Sequence, residues 1–269
     1  MTEVLVDGRP TDCIPADDRG LLYGDLLFET IAFVDGHAPL WSWHWRRLCA
    51  GCERLGLAAP SESELLEDCR KLAGGDRCVV RATVTRGSGG RAYEPPVEPA
   101  CRRIVQRRPW PSAVDRFRQG GMRLVTSPVR LASTSPIAGM KHGNRLEQVL
   151  AARDCAGQGG DEALIYDAQG RLVEAIASNL IVVLGARALT PATDSAGVSG
   201  VGLAWLREQA GIVLETAELT AVHVAGADEI MVINSVAGIR PVTAVDDHRF
   251  AIGLTCRAWQ RLWSEELRI

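Results

Sequence analysis

The sequence predicts an α+β protein built from two domains. Its 269 residues exceed the most common size of a single domain. Strand-like segments enclose two helices in the first 110 residues, whereas strands and helices interleave after residue 120. Between these halves, the segment RRPWPSAVDRFRQGG at 107–121 combines two prolines, a charge cluster and a glycine pair. We therefore expect an N-terminal domain at 1–110, a linker at 111–120 and a C-terminal domain at 121–269.

The first half reads as strands, then two helices, then strands. The early strands are VLVDGRP and LFETIAFVDG, and the Gly/Asp-rich loop DDRGLLYGD joins them. Helices are expected at 41–56 and 61–73. The second begins with serine and acidic residues and ends on glycine, which is the expected polarity of a helix. The segments CVVRATVTRG and CRRIVQRR alternate as strands do.

The second half mixes strands with helices. Apolar runs predict strands near 122–127, 163–167, 171–176, 179–184 and 228–234. Helical periodicity predicts helices near 145–155, 200–210 and 252–265. A ligand between two such domains would be unsurprising.

Composition and charge narrow the functional classes. Apolar residues make up 46% of the chain and charged residues 23%, and the net charge is −3. This balance argues against a polycationic protein that binds nucleic acid or anionic membranes. The polar, acidic start lacks the regions of a signal peptide, and no apolar run reaches the length of a membrane span. We expect a cytoplasmic protein.

The cysteines and histidines do not predict a metal site. Eight cysteines are scattered along the chain, and the single CxxC pair, Cys49 and Cys52, falls inside a predicted helix. The five histidines are isolated from one another. We expect reduced cysteines that pack as small apolar residues.

Position 141 holds one of only two lysines in the chain. Of the 30 basic residues, 28 are arginine, and the other lysine, Lys71, ends an acidic helix as a surface charge. An amine that loses its proton can form a Schiff base with a carbonyl, whereas arginine stays protonated. Lys141 is therefore a candidate for amine chemistry, and a solvated cation is the alternative.

The residues around Lys141 predict a tight turn that leads into a helix. Gly139 and Gly143 flank the lysine, and Asn144 and Glu147 have the spacing of a capping box. The apolar face of this helix would consist of Leu146, Val149 and Leu150.

Several other segments could serve an anionic ligand. The Gly/Ser-rich run ATDSAGVSGVG precedes a predicted helix, so backbone N–H groups near Val198 and Ser199 could bind an anion. A plain N-cap is the alternative for this run, which fits neither a Walker loop nor GxGxxG. Donors at the end of the strand EIMVI are Asn234 and Ser235. The segment WHWRRL adds arginines at 46 and 47.

Glu174 interrupts the otherwise apolar strand RLVEAIASNL. A carboxylate in the core is costly unless it is paired, and a protonated pyridine ring would be a suitable partner. A glutamate exposed at the edge of a strand is the alternative.

Taken in order, seven stretches resemble the fold type IV enzymes that depend on pyridoxal phosphate (PLP). They are DRGLLYGDLLFETI, HWRRL, TRGSGGR, AGMKHGNRLEQVLA, LVEAIASNL, AGVSG and INSVAGIRPV. This family includes branched-chain and D-amino-acid aminotransferases and aminodeoxychorismate lyase. The RGSGGR stretch and the Asn144–Arg145 pair resemble the lyase, whereas branched-chain transaminases tend to show Asn-Tyr there. Gly143 departs from the family pattern, which commonly has a larger apolar residue.

The resemblance implies a D-amino-acid aminotransferase-like fold, with the cofactor between two α+β domains of a homodimer. It implies that Lys141 forms the Schiff base with PLP, that Glu174 faces the pyridine nitrogen and that Arg47 binds the phosphate. The remaining phosphate contacts would come from Val198, Ser199, Asn234 and Ser235.

The resemblance further implies conversion of 4-amino-4-deoxychorismate to 4-aminobenzoate and pyruvate, a step towards folate, with Lys141 as the base. An aminotransferase acting on D- or branched-chain amino acids is the alternative. A homologue that binds a ligand without turnover is a second one. The candidates for holding a substrate carboxylate are Arg86, Arg91 and Arg107, with Phe28 lining the pocket. Solvated arginines at a hairpin turn and a core phenylalanine are the other interpretations.

Overall fold

The computed structural model describes residues 3–133, 136–209 and 211–268. These residues form two compact units. The first unit runs up to Trp110 and also takes in Met140–Asn144, and the second comprises Pro111–Gly139 and the chain from Arg145 onward. Within the described residues, no helix combines the length and apolar character that crossing a membrane requires.

The first unit is built on a five-stranded antiparallel sheet. Its strand order is β2-β1-β5-β4-β3. The strands are Val4–Val6 (β1), Arg9–Pro10 (β2), Leu26–Phe33 (β3), Cys78–Thr85 (β4) and Arg102–Pro109 (β5). The helices are Arg19–Tyr23 (α1), Trp41–Leu55 (α2) and Glu62–Ala73 (α3).

The strand register gives this sheet two distinct faces. Side chains alternate along a strand, and directly paired residues share a face. Phe28 pairs with Thr83 and Thr30 with Arg81, so these four side chains lie on one face. Glu29 lies on the opposite face, where α2 packs on β3.

The segment Met140–Asn144 extends this sheet beyond β3. Phe28 N–H donates to the carbonyl of Lys141 at 2.9 Å, and Gly143 N–H donates to the carbonyl of Leu26 at 3.1 Å. Our expectation placed these residues in the C-terminal domain. They group with the first unit because their backbone pairs with β3, a contact between residues distant in sequence.

The second unit is built on a nine-stranded mixed sheet. Its order is β11-β10-β9-β12-β13-β6-β7-β8, with β14 beside β13. The first strands are Met122–Leu131 (β6), Glu162–Asp167 (β7), Leu172–Ala175 (β8), Asn179–Leu184 (β9) and Arg187–Pro191 (β10). The others are Leu214–Ala217 (β11), Glu229–Asn234 (β12), Gly238–Val245 (β13) and His248–Arg249 (β14). The helices are Val114–Gly120 (α4), Leu146–Gly157 (α5), Val201–Glu208 (α6), Ala221–Ala225 (α7) and Leu254–Leu267 (α8).

The segment expected to be a linker, 111–120, is mostly helical. Helix α4 occupies Val114–Gly120, and its Val114 side chain is buried. The Arg118 Nε donates to the carbonyl of Ala237 at 2.9 Å. This segment is therefore packed structure of the second unit and not an extended spacer.

The N-cap and the buried face of helix α5 differ from the prediction. Its N-cap is Arg145, and no side chain caps the first turn, so the predicted capping box is wrong. The predicted apolar face is exposed as well. The exposed fractions are 77% for Leu146, 60% for Val149 and 43% for Leu150. The buried face follows helical spacing through Gln148, Ala151 and Cys155 instead.

Candidate active site

Lys141 lies beside the aromatic ring of Phe28. The paired backbone of β3 and the 140–144 segment brings the two residues together, and Lys141 Nζ lies 4.7 Å from the ring centroid. The lysine is half-buried and Phe28 is buried. Lys141 is therefore partly shielded from water, next to strand β3 at the edge of the first unit's sheet.

Arg81 contacts the same phenylalanine ring. Its guanidinium carbon lies 3.7 Å from the ring centroid, on the sheet face that Phe28 occupies. Burial, with a smaller contribution from Arg108, lowers the pKa of Arg81. Within residues 3–133, 136–209 and 211–268, no carboxylate forms an ion pair with this arginine. Arg81 was not among the residues predicted from the sequence, although a cation inside the apolar run CVVRATVT is a signal.

Gly143 leaves space that a neighbouring side chain fills. A Cβ at this position would lie 2.7 Å from Cγ of Leu26. The glycine at position 143 therefore leaves room for the side chain of Leu26.

Arg47 is held by a buried carboxylate on the helix-covered face of the sheet. Its Nε donates to Glu29 Oε1 at 2.8 Å and its Nη2 donates to Glu29 Oε2 at 2.5 Å. His44, one turn earlier on α2, lies with Nδ1 2.6 Å from Glu29 Oε2. Neither Glu29 nor His44 was identified from sequence, because their roles depend on how α2 packs against β3.

The ionisation of this cluster follows from burial and pairing. Burial alone would raise the pKa of Glu29, but the charge and hydrogen bonds of Arg47, together with His44, lower the pKa to about 2. Burial lowers the pKa of His44 against the opposing effect of Glu29. At neutral pH the cluster therefore holds a carboxylate, a guanidinium and a neutral imidazole.

Glu174 is a buried carboxylate in the second unit. It lies on β8 with 5% of its surface exposed, which excludes the solvent-exposed interpretation. Gln148 Nε2 donates to Oε1 at 3.2 Å, and the backbone N–H of Val198 donates to Oε2 at 2.8 Å. Sequence analysis did not single out Gln148, a polar residue on the buried face of α5.

Two backbone N–H groups that were expected to bind phosphate donate to groups of the protein instead. The N–H of Val198 is donated to Glu174, and the N–H of Ser199 is donated to the carbonyl of Gly139 at 2.9 Å. The second of these bonds belongs to the parallel bridge between Gly139 and Val198. The Ser199 hydroxyl lies 2.9 Å from the hydroxyl of Thr193.

The first turn of α6 has no side-chain cap. Its N-cap, Gly200, provides no side-chain hydrogen bond to this turn. A Cβ on Gly200 would lie 1.8 Å from Oδ1 of Asn179, so only glycine fits at this position. The backbone N–H groups at the start of this eight-residue helix are therefore the donors that the segment offers.

Asn234 stabilises the turn that follows β12. Its Nδ2 donates to the carbonyl of Ala177 at 3.2 Å, and its Oδ1 accepts N–H groups from Val236 and Ala237 at 3.1 and 2.7 Å. Ser235 is half-buried in the same turn. Asn234 thus shapes the turn through its own side chain.

The structure does not support Arg86 as a carboxylate ligand. Arg86 is buried, and its Nε and Nη2 donate to Asp25 at 2.6 and 3.1 Å. Its Nη1 donates to the carbonyl of Gly56 at 2.9 Å, and Nη2 also donates to that of Leu55 at 2.8 Å. These contacts hold the guanidinium of Arg86 within the protein, and a role in binding a substrate carboxylate stays a prediction.

The other two predicted arginines lie in different surroundings. Arg107 pairs with Val80, which places it on the sheet face opposite Phe28, and its Nη2 donates to Asp76 at 2.8 Å. The structure therefore does not bring Arg107 and Phe28 together. Arg91 is exposed in a turn, where its backbone bridges to Glu94.

Comparisons with known proteins place this arrangement in a family. The amino-transferase class IV family matches residues 26–245. The chain is 29% identical over 245 residues to aminodeoxychorismate lyase of Vibrio harveyi, covering 89% of this chain and 90% of that protein. The crystal structure of 4-amino-4-deoxychorismate lyase from Pseudomonas aeruginosa has a TM-score of 0.93 and 39% identity, with coverage of 99% and 100%. The PLP-bound form of a hypothetical aminotransferase from Mycobacterium tuberculosis shares the fold, with a TM-score of 0.86, 21% identity and 98% coverage of each chain.

The side chains on the two units suit the chemical groups of PLP. An amine, Lys141, can join its carbonyl, and a buried carboxylate, Glu174, can pair with its pyridine nitrogen. A guanidinium, Arg47, can bind its phosphate, and the N-terminus of α6, which has no side-chain cap, offers N–H donors that suit an anion. Since the match spans residues 26–245, this chain belongs to the amino-transferase class IV family, whose enzymes use pyridoxal phosphate.

Proposed function

We propose that this enzyme is a lyase that converts 4-amino-4-deoxychorismate to 4-aminobenzoate and pyruvate, a step towards folate. The observation that carries the proposal is the 39% identity, over nearly the whole chain, with the Pseudomonas lyase. The substrate has two carboxylates, so a cation near the reactive amine is a further requirement. Arg81 on the Phe28 ring supports this reading.

We assign the proton transfers to Lys141. Pyridoxal phosphate supplies, when bound, a carbonyl that amines can join and a ring that accepts an electron pair. Lys141 removes the proton from C4 of the substrate as the bond between C3 and the enolpyruvyl oxygen breaks. The carbocycle becomes aromatic, and the proton passes to the methylene carbon of the departing group, either from Lys141 or from water. The released group is then pyruvate.

We assign Glu174 and Arg47 to binding and orientation. Glu174 holds a proton at the pyridine nitrogen, and its hydrogen bonds from Gln148 and Val198 fix the carboxylate. Arg47 binds the phosphate, and the N-terminus of α6 is a further candidate for an anion.

We propose Arg81 in place of Arg86 as the principal ligand of a substrate carboxylate, with Arg91 as an exposed second candidate. A guanidinium matches a carboxylate in bidentate geometry. Arg81 is half-buried beside Phe28, whereas Arg86 is engaged by Asp25. Phe28 would then line the site through its contacts with both cations.

An enzyme of this family would function as a homodimer, as the resemblance implies. The exposed apolar side chains of α5, at Leu146, Val149 and Leu150, provide a surface that a second copy could cover. This assembly stays a prediction.

The experiment that tests the activity uses the full-length protein with chorismate, glutamine and an aminodeoxychorismate synthase. We expect the wild type to release 4-aminobenzoate and pyruvate in equal amounts and Lys141→Ala to release neither. The Lys71→Arg variant is the control, because Lys71 is an exposed residue in the last turn of α3. An active transamination of D- or branched-chain amino acids, with no 4-aminobenzoate formed, would contradict the lyase and support the aminotransferase alternative.

A further inference from the structure

We propose that Glu29 and His44 are positioning residues that orient the guanidinium of Arg47 towards the phosphate of the cofactor. The inference rests on the proposed role of Arg47. It extends that role to two residues that need not touch the cofactor themselves.

The geometry of the carboxylate fixes the plane of the arginine. Glu29 engages Nε with one oxygen and Nη2 with the other, which is the bidentate arrangement. Two parallel hydrogen bonds leave the guanidinium little freedom to rotate.

The imidazole in turn fixes the carboxylate. His44 and Arg47 are three residues apart on α2, so both side chains reach the same part of β3. Glu29 Oε2 accepts from His44 Nδ1 and from Arg47 Nη2, which makes this oxygen the shared point of the cluster. Removing the imidazole would allow the carboxylate to turn and to carry the guanidinium with it.

Burial makes this arrangement specific. Glu29 is 2% exposed and His44 is 1% exposed. Because water does not solvate the buried carboxylate of Glu29, its charge is stabilised by Arg47 and His44. His44 Nε2 is buried with no hydrogen-bond partner among the described residues. A neutral imidazole donates through Nδ1 without adding a second positive charge, and the nearby Lys141 favours this neutral form. A cationic residue at position 44 would compete with Arg47 for Glu29.

The test compares the apparent affinities of the full-length apo protein for PLP and for pyridoxal, which lacks the phosphate. The variants are Arg47→Gln, Glu29→Gln, His44→Leu and His44→Asn. The asparagine amide can donate from the position of Nδ1, whereas leucine cannot donate, so these two variants form a matched pair. We expect Arg47→Gln to reduce the preference for PLP over pyridoxal by about tenfold or more, the equivalent of one strong contact.

We expect Glu29→Gln and His44→Leu to reduce this preference in the same direction and to leave pyridoxal binding within about twofold of wild type. His44→Asn should retain most of the preference. A merely structural role would weaken the binding of PLP and pyridoxal alike, so it would not change the ratio.

The outcomes separate the inference from the function on which it rests. An unchanged preference in Arg47→Gln removes Arg47 from the phosphate site. A reduced preference in Arg47→Gln, with wild-type values in Glu29→Gln and His44→Leu, overturns the positioning role alone. A stronger preference for PLP in Glu29→Gln also overturns it, because the carboxylate would then act only by neutralising charge. If Glu29→Gln does not fold, the leucine and asparagine variants at position 44 decide the question.

Discussion

The chemistry of single residues was predictable where a residue type was rare in its setting. Lys141 stood out because the chain otherwise uses arginine, and Glu174 because it interrupts an apolar strand. The arginines were harder to assign, since the Gly-rich segment around Arg86 has the composition of a binding loop. The register of β3 and β4 places Arg81 on the same sheet face as Phe28, and the guanidinium of Arg86 donates to Asp25. That register depends on pairing between residues that are distant in the sequence, so the local sequence does not predict it.

Arg81 gives a prediction at this scale. Arg81→Gln should raise the KM for 4-amino-4-deoxychorismate by roughly tenfold to a hundredfold, because a hydrogen bond to a charged group contributes about 1.5–3 kcal/mol. The absorbance of the bound cofactor should not change. Steady-state kinetics of this variant and of Arg107→Gln, which alters an arginine on the opposite sheet face, provide the measurement. Equal effects of both substitutions would show that Arg81 has no special contact with substrate.

At the scale of elements, most segments that form helices and strands were located from their periodicity, and their ends were set by tertiary contacts. Helices α2 and α3 lie at Trp41–Leu55 and Glu62–Ala73, close to the expected 41–56 and 61–73. The capping box of α5 was wrong, since a matching pair of residue types does not ensure that the helix starts there. Strands β10, β11, β13 and β14 and the short helices α1, α4 and α7 were not predicted. Their sequences carry weak local signals, and sheet pairing stabilises the strands.

The contact between β3 and α2 gives a prediction for acid stability. The pKa of Glu29 falls from an ordinary value of 4.5 to about 2 in the folded protein. Its contribution is therefore complete above pH 4.5 and is lost as the pH falls towards 2. The shift corresponds to about 3 kcal/mol of the free energy of unfolding. The lowered pKa of His44 acts in the same direction, since the unfolded state gains a proton below pH 6.5 and the folded state resists it.

Chemical denaturation between pH 7 and pH 3 measures this dependence. Wild type should lose free energy of unfolding on acidification, first below pH 6.5 and then more steeply below 4.5. Glu29→Gln should lose less free energy of unfolding below pH 4.5 than wild type, since other carboxylates with a lowered pKa, such as Asp167, keep their contribution. The same acid slope in both proteins would mean that Glu29 does not have a depressed pKa in the folded state.

At the scale of the whole molecule, the sequence indicated two α+β domains with a division near residue 110, and the chain forms two units that divide after Trp110. It did not indicate that the chain returns to the first unit for Met140–Asn144. This return depends on backbone hydrogen bonds to β3, and it places Lys141 in the first unit, whereas Glu174 belongs to the second. The order of the seven family stretches was informative because it reflects the whole chain and not one motif.

The central claim is that Lys141 is the amine that carries the cofactor, and the composition of the chain allows a direct test. Wild-type enzyme loaded with PLP is reduced with borohydride and digested, and the peptide that bears the cofactor is identified by mass spectrometry. Only two lysines exist, so Lys71 serves as an internal control. We predict the label on Lys141, its retention in Lys71→Arg and its absence in Lys141→Arg. A label on Lys71, or an unchanged label in Lys141→Arg, would contradict the account.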